Sequence, residues 1–90
     1  MDITPTGVNP QVLHVDAPVT VTFTDTDRVA HKLEAAPELA YGDCPEMNGL
    51  GTLQPGQQRT VTLDQHGFIC AYHDAARPTD MAFQGIIVLH

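Results

Sequence analysis

Alternation of apolar and polar residues constrains the fold of this chain more than any other feature. Between Pro18 and Asp25, the apolar residues Val19, Val21 and Phe23 alternate with threonines. Successive side chains of a strand point to opposite faces, so this period of two predicts a half-buried strand. Other segments with strand character are found at residues 1–3, 11–15, 60–63, 67–71 and 85–89. Turn residues separate these segments, and the pattern predicts an all-β, Greek-key β-sandwich of about seven strands.

The chain has 90 residues, which is the length of one domain, so we expect residues 1–90 to form a single unit. The turn residues at 16–18 predict a hairpin between the two strands that they join. Residues 34–50 do not show strand alternation, and we interpret them as a long crossover with one helical turn near residues 35–40. No apolar run is long enough to span a membrane.

Charge excludes one class of partner and favours another. The chain carries 4 Lys and Arg against 11 Asp and Glu, for a net charge of -7. Nucleic-acid binding depends on clustered cations, so a nucleic-acid partner is not expected. A protein partner with a basic docking face would complement the acidic surface. We expect the protein to be a monomer.

Four residues from separate segments of the chain carry the chemistry. The segment from Gly67 to His73 reads as a strand that ends in Cys70, with His73 in the loop that follows. His31 follows the 18–25 strand and supplies a second imidazole, and Met81 lies at the far side of the loop after His73. Two imidazoles, one thiolate and a weak thioether are the ligands of a blue copper site. These residues therefore predict one copper ion that cycles between Cu(I) and Cu(II).

The sequence resembles the cupredoxins of the plastocyanin and pseudoazurin type over nearly its whole length. The resemblance rests on the 8–15 segment, the 21–25 strand, His31, the Gly67–His73 segment and the 85–89 strand. It implies that His31, Cys70 and His73 are the equatorial copper ligands and that Met81 is the axial one. It also implies an electron-transfer protein that works with a redox partner, in the periplasm or another extracytoplasmic location. The first residues do not read as a leader, so we expect either that a leader has been removed or that the protein is cytosolic, and the resemblance implies the former.

The axial ligand has several candidates. Met81 is eight residues after His73 and four before Gly85, whereas plastocyanin-type proteins place the methionine five after the histidine and two before the glycine. Counting back from Gly85 puts Phe83 in the axial position. Met47 and Glu46 are minor candidates, and a site without an axial ligand is also possible.

Cys44 has three possible roles: a disulfide with Cys70, a free buried thiol, or a metal ligand. As a ligand it would add a second thiolate, and the protein would store or deliver Cu(I) rather than transfer electrons. His31, Cys44, Cys70 and His73 would also fit a structural zinc site. A Cys44–Cys70 disulfide would leave a metal-free domain. The sequence assigns no groups that would orient a Cys–His nucleophile or stabilise an oxyanion, so the protein is not expected to be an enzyme.

Overall fold

A computed structural model describes residues 1–36 and 44–90 of the chain, and within these ranges nine short strands form two sheets. The strands are β1 (Asp2–Thr4), β2 (Gly7–Asn9), β3 (Val12–Val15), β4 (Val19–Asp25), β5 (His31–Ala35), β6 (Thr52–Leu53), β7 (Gln58–Leu63), β8 (Phe68–Asp74) and β9 (Gln84–Leu89). A 3₁₀ helix spans Pro45–Leu50, and a 3₁₀ turn spans Met81–Phe83.

The two sheets have different strand orders. The first is β2-β1-β4-β7 and the second is β3-β9-β8-β5-β6. The pairs β1–β4 and β3–β9 are parallel, and the other pairs are antiparallel. The predicted all-β sandwich is confirmed. No helix among the described residues is both long and apolar enough to cross a membrane.

Alternate residues of the strands build the core between the sheets. Val21 and Phe23 of β4 point inwards, as the sequence pattern predicts, and both are buried. Phe23 meets Tyr72 of β8 edge to face, with the ring centres 5.5 Å apart. The Tyr72 ring packs over Gly85, where a Cβ atom would overlap it. A large aromatic side chain therefore fills the middle of the sandwich, and only glycine fits beneath it.

Several local expectations need correction. The turn at 16–18 does not form a hairpin, because β3 pairs with β9 and β4 pairs with β1 and β7. The strand expected at 67–71 continues to Asp74. Strand β5 lies where a loop and the start of the crossover were expected, and the 3₁₀ helix occupies the crossover's last part. The helical turn expected near residues 35–40 falls mostly outside the described residues.

Candidate functional site at one end of the sandwich

His31 and Asp74 meet at one end of the second sheet. His31 is the first residue of β5 and Asp74 is the last residue of β8. These strands are antiparallel neighbours in which Leu33 pairs with Asp74, so the start of one adjoins the end of the other. Asp27 lies in the loop between β4 and β5. Its hydrogen bond to the His31 ring shows that this loop reaches the same end of the sheet.

Both nitrogens of the His31 ring face carboxylates. Nδ1 lies 2.5 Å from Oδ2 of Asp74, and Nε2 lies 2.7 Å from Oδ2 of Asp27. His31 is only 4% exposed and Asp74 only 3%. An ionised carboxylate only accepts hydrogen bonds, so both contacts are satisfied together when the ring carries a proton on each nitrogen. The arrangement therefore selects the imidazolium form of His31.

The electrostatics of this cluster support the charged ring. Burial disfavours the imidazolium, but the hydrogen bonds to Asp74 and Asp27 more than offset it, and the pKa of His31 is raised above its usual 6.5. The hydrogen bond to His31 lowers the pKa of Asp27 below 3.8, and the backbone N–H of Arg28 adds to this effect. The raised pKa therefore favours the imidazolium form of His31 between the two carboxylates.

Aromatic and cationic side chains close the cluster. The ring of Phe83 stacks on His31 with the centres 5.5 Å apart and the planes 18° apart. The guanidinium carbon of Arg77 lies 4.8 Å from the centre of the Phe83 ring. Phe83 is 2% exposed. Phe83 offers no metal-donor atom, so it supplies packing rather than a ligand at this end of the sandwich.

Cys70 does not reach this end of the sandwich. It lies in the middle of β8, pairs with Ile87 of β9, and forms a disulfide with Cys44. The two Cα atoms are 5.2 Å apart, within the range of ordinary disulfides. Cys44 directly precedes the 3₁₀ helix, and both cysteines are buried in the core. Of the three roles open to Cys44, the structure shows the disulfide, and the sulfur of Cys70 is not a free thiolate.

His73 lies on the opposite face of the sheet from Cys70. The two residues are three apart in a continuous strand, so their side chains point to opposite sides. His73 pairs across the strands with Glu34, and its Nε2 lies 2.7 Å from Oε1 of that residue. The expectation that β8 ends at Cys70 was wrong. His73 therefore does not lie in a loop, where it could have turned to bind the same ion as Cys70.

The axial candidates are equally dispersed. Met81 is 77% exposed, and its backbone carbonyl accepts a hydrogen bond from Gln11. Met47 is fully buried in the core, and the Glu46 carboxylate lies 3.4 Å from the Cys44 sulfur. The structure therefore does not bring Met81 to His31, and Phe83 takes the position beside the ring.

The described residues do not fit a blue copper centre. Across residues 1–36 and 44–90, no group of three or more His, Cys, Asp or Glu side chains is arranged to hold a metal ion. His31 contacts carboxylates, Cys70 is bonded to Cys44, and His73 contacts Glu34. The two imidazoles thus lie on different parts of the sheet, and the sulfur of Cys70 is not available as the thiolate that such a centre requires.

Sequence reasoning missed the two carboxylates that hold His31. One signal was available: Asp74 directly follows His73 and continues the alternation of Cys70 and Tyr72, which indicates a strand that extends to residue 74. No sequence signal pairs Asp27 with the ring rather than with solvent.

The charged His31 predicts a pH dependence of stability. The raised pKa means that the cluster stabilises the fold fully below about pH 6.5, and that this contribution is lost as pH rises through the folded-state pKa. We expect the free energy of unfolding, measured with urea from pH 5.5 to 9, to fall more steeply in wild type than in His31→Gln. The control His66→Gln, at an exposed residue, should keep the wild-type slope. Equal slopes in wild type and His31→Gln would contradict the charge assignment.

Comparison with known proteins identifies the fold. No protein-family model matches the chain, and no curated protein matches it. Among solved structures, a purple cupredoxin from Nitrosopumilus maritimus superposes with a TM-score of 0.70 and 17% identity, over 99% of this chain and 98% of that one. An oxidised amicyanin variant gives 0.75 and 22%, and a Cu(I) amicyanin variant gives 0.74 and 22%, each over 99% of this chain and 78% of the amicyanin.

At 17% and 22% sequence identity, these superpositions show a shared fold but do not show which residues bind a metal ion. The superpositions cover nearly all of this chain, and the two-sheet topology agrees with the resemblance seen in the sequence. The chain has the cupredoxin fold.

Proposed function

We propose that this protein is a disulfide-closed binding domain of the cupredoxin fold that acts through its surface and has no blue copper centre. One observation carries the proposal: the sulfur of Cys70 is bonded to Cys44 within the core. A blue copper site needs that sulfur as a thiolate. The metal-free alternative open from the sequence is therefore the one that the geometry supports best.

Reduction of the disulfide would not by itself assemble the predicted site. His73 would have to leave Glu34 and move to the opposite face of β8, which requires the strand to break its pairing with β9 near Gln84. His31 would have to exchange its two carboxylate contacts for a metal ion. Each change costs hydrogen bonds that the fold already makes.

Copper loading tests the proposal. We expect the air-oxidised protein, mixed with one equivalent of Cu(II), to show no intense visible thiolate-to-copper band and to give the same spectrum as Cys44→Ala/Cys70→Ala. An intense band that the double variant lacks would overturn the proposal. The expected result also separates this protein from an electron carrier of the amicyanin type.

Copper binding is the second candidate, and two observations favour it. The fold is shared with an amicyanin variant solved in a Cu(I) form, and the two sulfurs lie close enough to reach one ion together. A pair of thiolates favours Cu(I). This candidate requires reduced protein, so Cu(I) affinity should be measured by competition with a chelator after reduction. Cys44→Ser should then weaken binding, whereas an electron carrier that uses only Cys70 would retain it.

The partner is inferred from charge. The net charge of -7 supports a partner with a basic docking face, whose association would weaken as salt screens the surfaces. A disulfide in a protein of this size supports an oxidising compartment, such as the periplasm or the cell exterior. We propose a monomer that is not an enzyme.

A further inference from the structure

His14 and His90 form a pair of exposed imidazoles that are 76 residues apart in the sequence. His14 lies in β3, and His90 directly follows β9, the parallel neighbour of β3. Nδ1 of His14 lies 3.1 Å from Nε2 of His90, and the ring planes are 19° apart. The fold therefore brings together two histidines that the sequence does not group.

The backbone places His14 and His90 on the outer face of neighbouring strands. Leu13 and Val15 pack towards the core, so His14 points to the outer face of the second sheet. The N–H of His90 donates to the carbonyl of Val15, and the N–H of Ala17 donates to the carbonyl of His90. These two bonds extend the parallel ladder by one residue and place Asp16 opposite His90.

The spacing of the two nitrogens suits a metal ion. Ligand nitrogens at about 2.0–2.1 Å from a metal ion lie about 2.9 Å apart at a right angle and about 3.4 Å apart at the tetrahedral angle that zinc prefers. The 3.1 Å separation lies between these values, so the rings would have to rotate but not move apart for both lone pairs to point at one ion. The ring that now carries the bridging proton would shift it to its other nitrogen, so that both facing nitrogens are free to bind.

We propose that His14 and His90 form a binding site for a divalent transition-metal ion of the class that prefers imidazole, such as Zn²⁺, Ni²⁺ or Cu²⁺. The two rings supply two ligands and water completes the coordination, since no three such side chains converge anywhere in residues 1–36 and 44–90. Asp16, which lies opposite His90 in the extended ladder, is the carboxylate whose contribution can be tested by substitution. The site is separate from the His31 cluster and does not depend on the proposed function.

Binding would tie β3 to the sheet. β3 is an edge strand of the second sheet, and β9 is its sole neighbour among the described strands. An ion that bridges His14 and His90 would bind the folded state and not the unfolded chain, and would thereby raise the free energy of unfolding by mass action.

The test uses Zn²⁺ chloride with the oxidised full chain. Calorimetry should give one equivalent of bound zinc, and the NMR signals of the His14 and His90 rings should move together during the titration. His14→Asn and His90→Asn should each weaken binding at least about tenfold, because the second ligand would no longer bind intramolecularly. His66→Asn, which removes another exposed imidazole, should leave the affinity within about twofold of wild type.

Two results would overturn the inference. The first is unchanged zinc affinity in both His14→Asn and His90→Asn, and the second is the absence of zinc binding to the wild-type protein. Asp16→Asn distinguishes two forms of the site: weaker binding indicates a carboxylate ligand, and unchanged binding indicates two imidazoles with water. Either of these outcomes supports the site itself.

Discussion

Replacing both cysteines, as Cys44→Ala/Cys70→Ala, should lower the free energy of unfolding by about 3.5 kcal/mol. The disulfide closes a loop with a sequence separation of 26. In the chain-entropy model, closing a loop of this length lowers the conformational entropy of the unfolded chain and so stabilises the folded state by about this amount. The loss is a large part of the roughly 5–15 kcal/mol that stabilises an ordinary domain. Urea unfolding of wild type and the double variant, both without reductant, measures it.

The control for this experiment is a reducing agent. Dithiothreitol should destabilise the wild-type protein and leave the double variant unchanged, because only wild type has a bond to reduce. Both sulfurs are buried, with Cys44 1% and Cys70 0% exposed, so we expect reduction to be slow in the folded state and rapid in urea. A double variant within about 0.5 kcal/mol of wild type would contradict the structural role of the disulfide.

His31→Ala should be the most destabilising single substitution at the end of the sandwich, by about 3–5 kcal/mol at pH 6. The substitution leaves the carboxylate of Asp74 buried without its cation, and an unpaired buried charge costs this much in other proteins. It also removes the ring that stacks on Phe83. Urea unfolding at pH 6 measures the effect, with His66→Ala as the matched control at an exposed histidine.

A second substitution separates charge from packing. Asp74→Asn in the His31→Ala background removes the unpaired anion, so the double variant should be more stable than His31→Ala alone. A purely packing role for His31 predicts no such recovery. If His31→Ala were as mild as His66→Ala, the ion cluster would not stabilise the fold.

Much of the fold can be predicted from the alternation and the apolar runs in the sequence. Alternation in the 18–25 segment correctly predicts β4, and the apolar 85–89 run predicts β9 to within one residue at its start. The pairing of strands is less accessible, because the parallel contact of β3 with β9 joins residues more than 70 positions apart. Local turn chemistry at 16–18 favours a hairpin, but the burial gained by two separate sheets outweighs that preference.

The geometry of the candidate site depends on where β8 ends, and the sequence does not determine that position. A Cys and a His three residues apart converge if a loop begins after the cysteine, but they diverge if the strand continues through both. The strand continues to Asp74, so the residue at its end is a carboxylate. The same three-residue spacing therefore gives a ligand pair in one geometry. In this protein it gives a disulfide on one face and a hydrogen bond between His73 and Glu34 on the other.

The bond between Cys44 and Cys70 is most directly tested by counting free thiols. The protein should be unfolded in guanidinium without reductant, treated with a maleimide, and weighed by mass spectrometry, with a reduced sample as the positive control. We expect no added maleimide in the unreduced protein and two in the reduced one. Two maleimides on the unreduced protein would contradict the disulfide and return Cys70 to the list of available metal ligands.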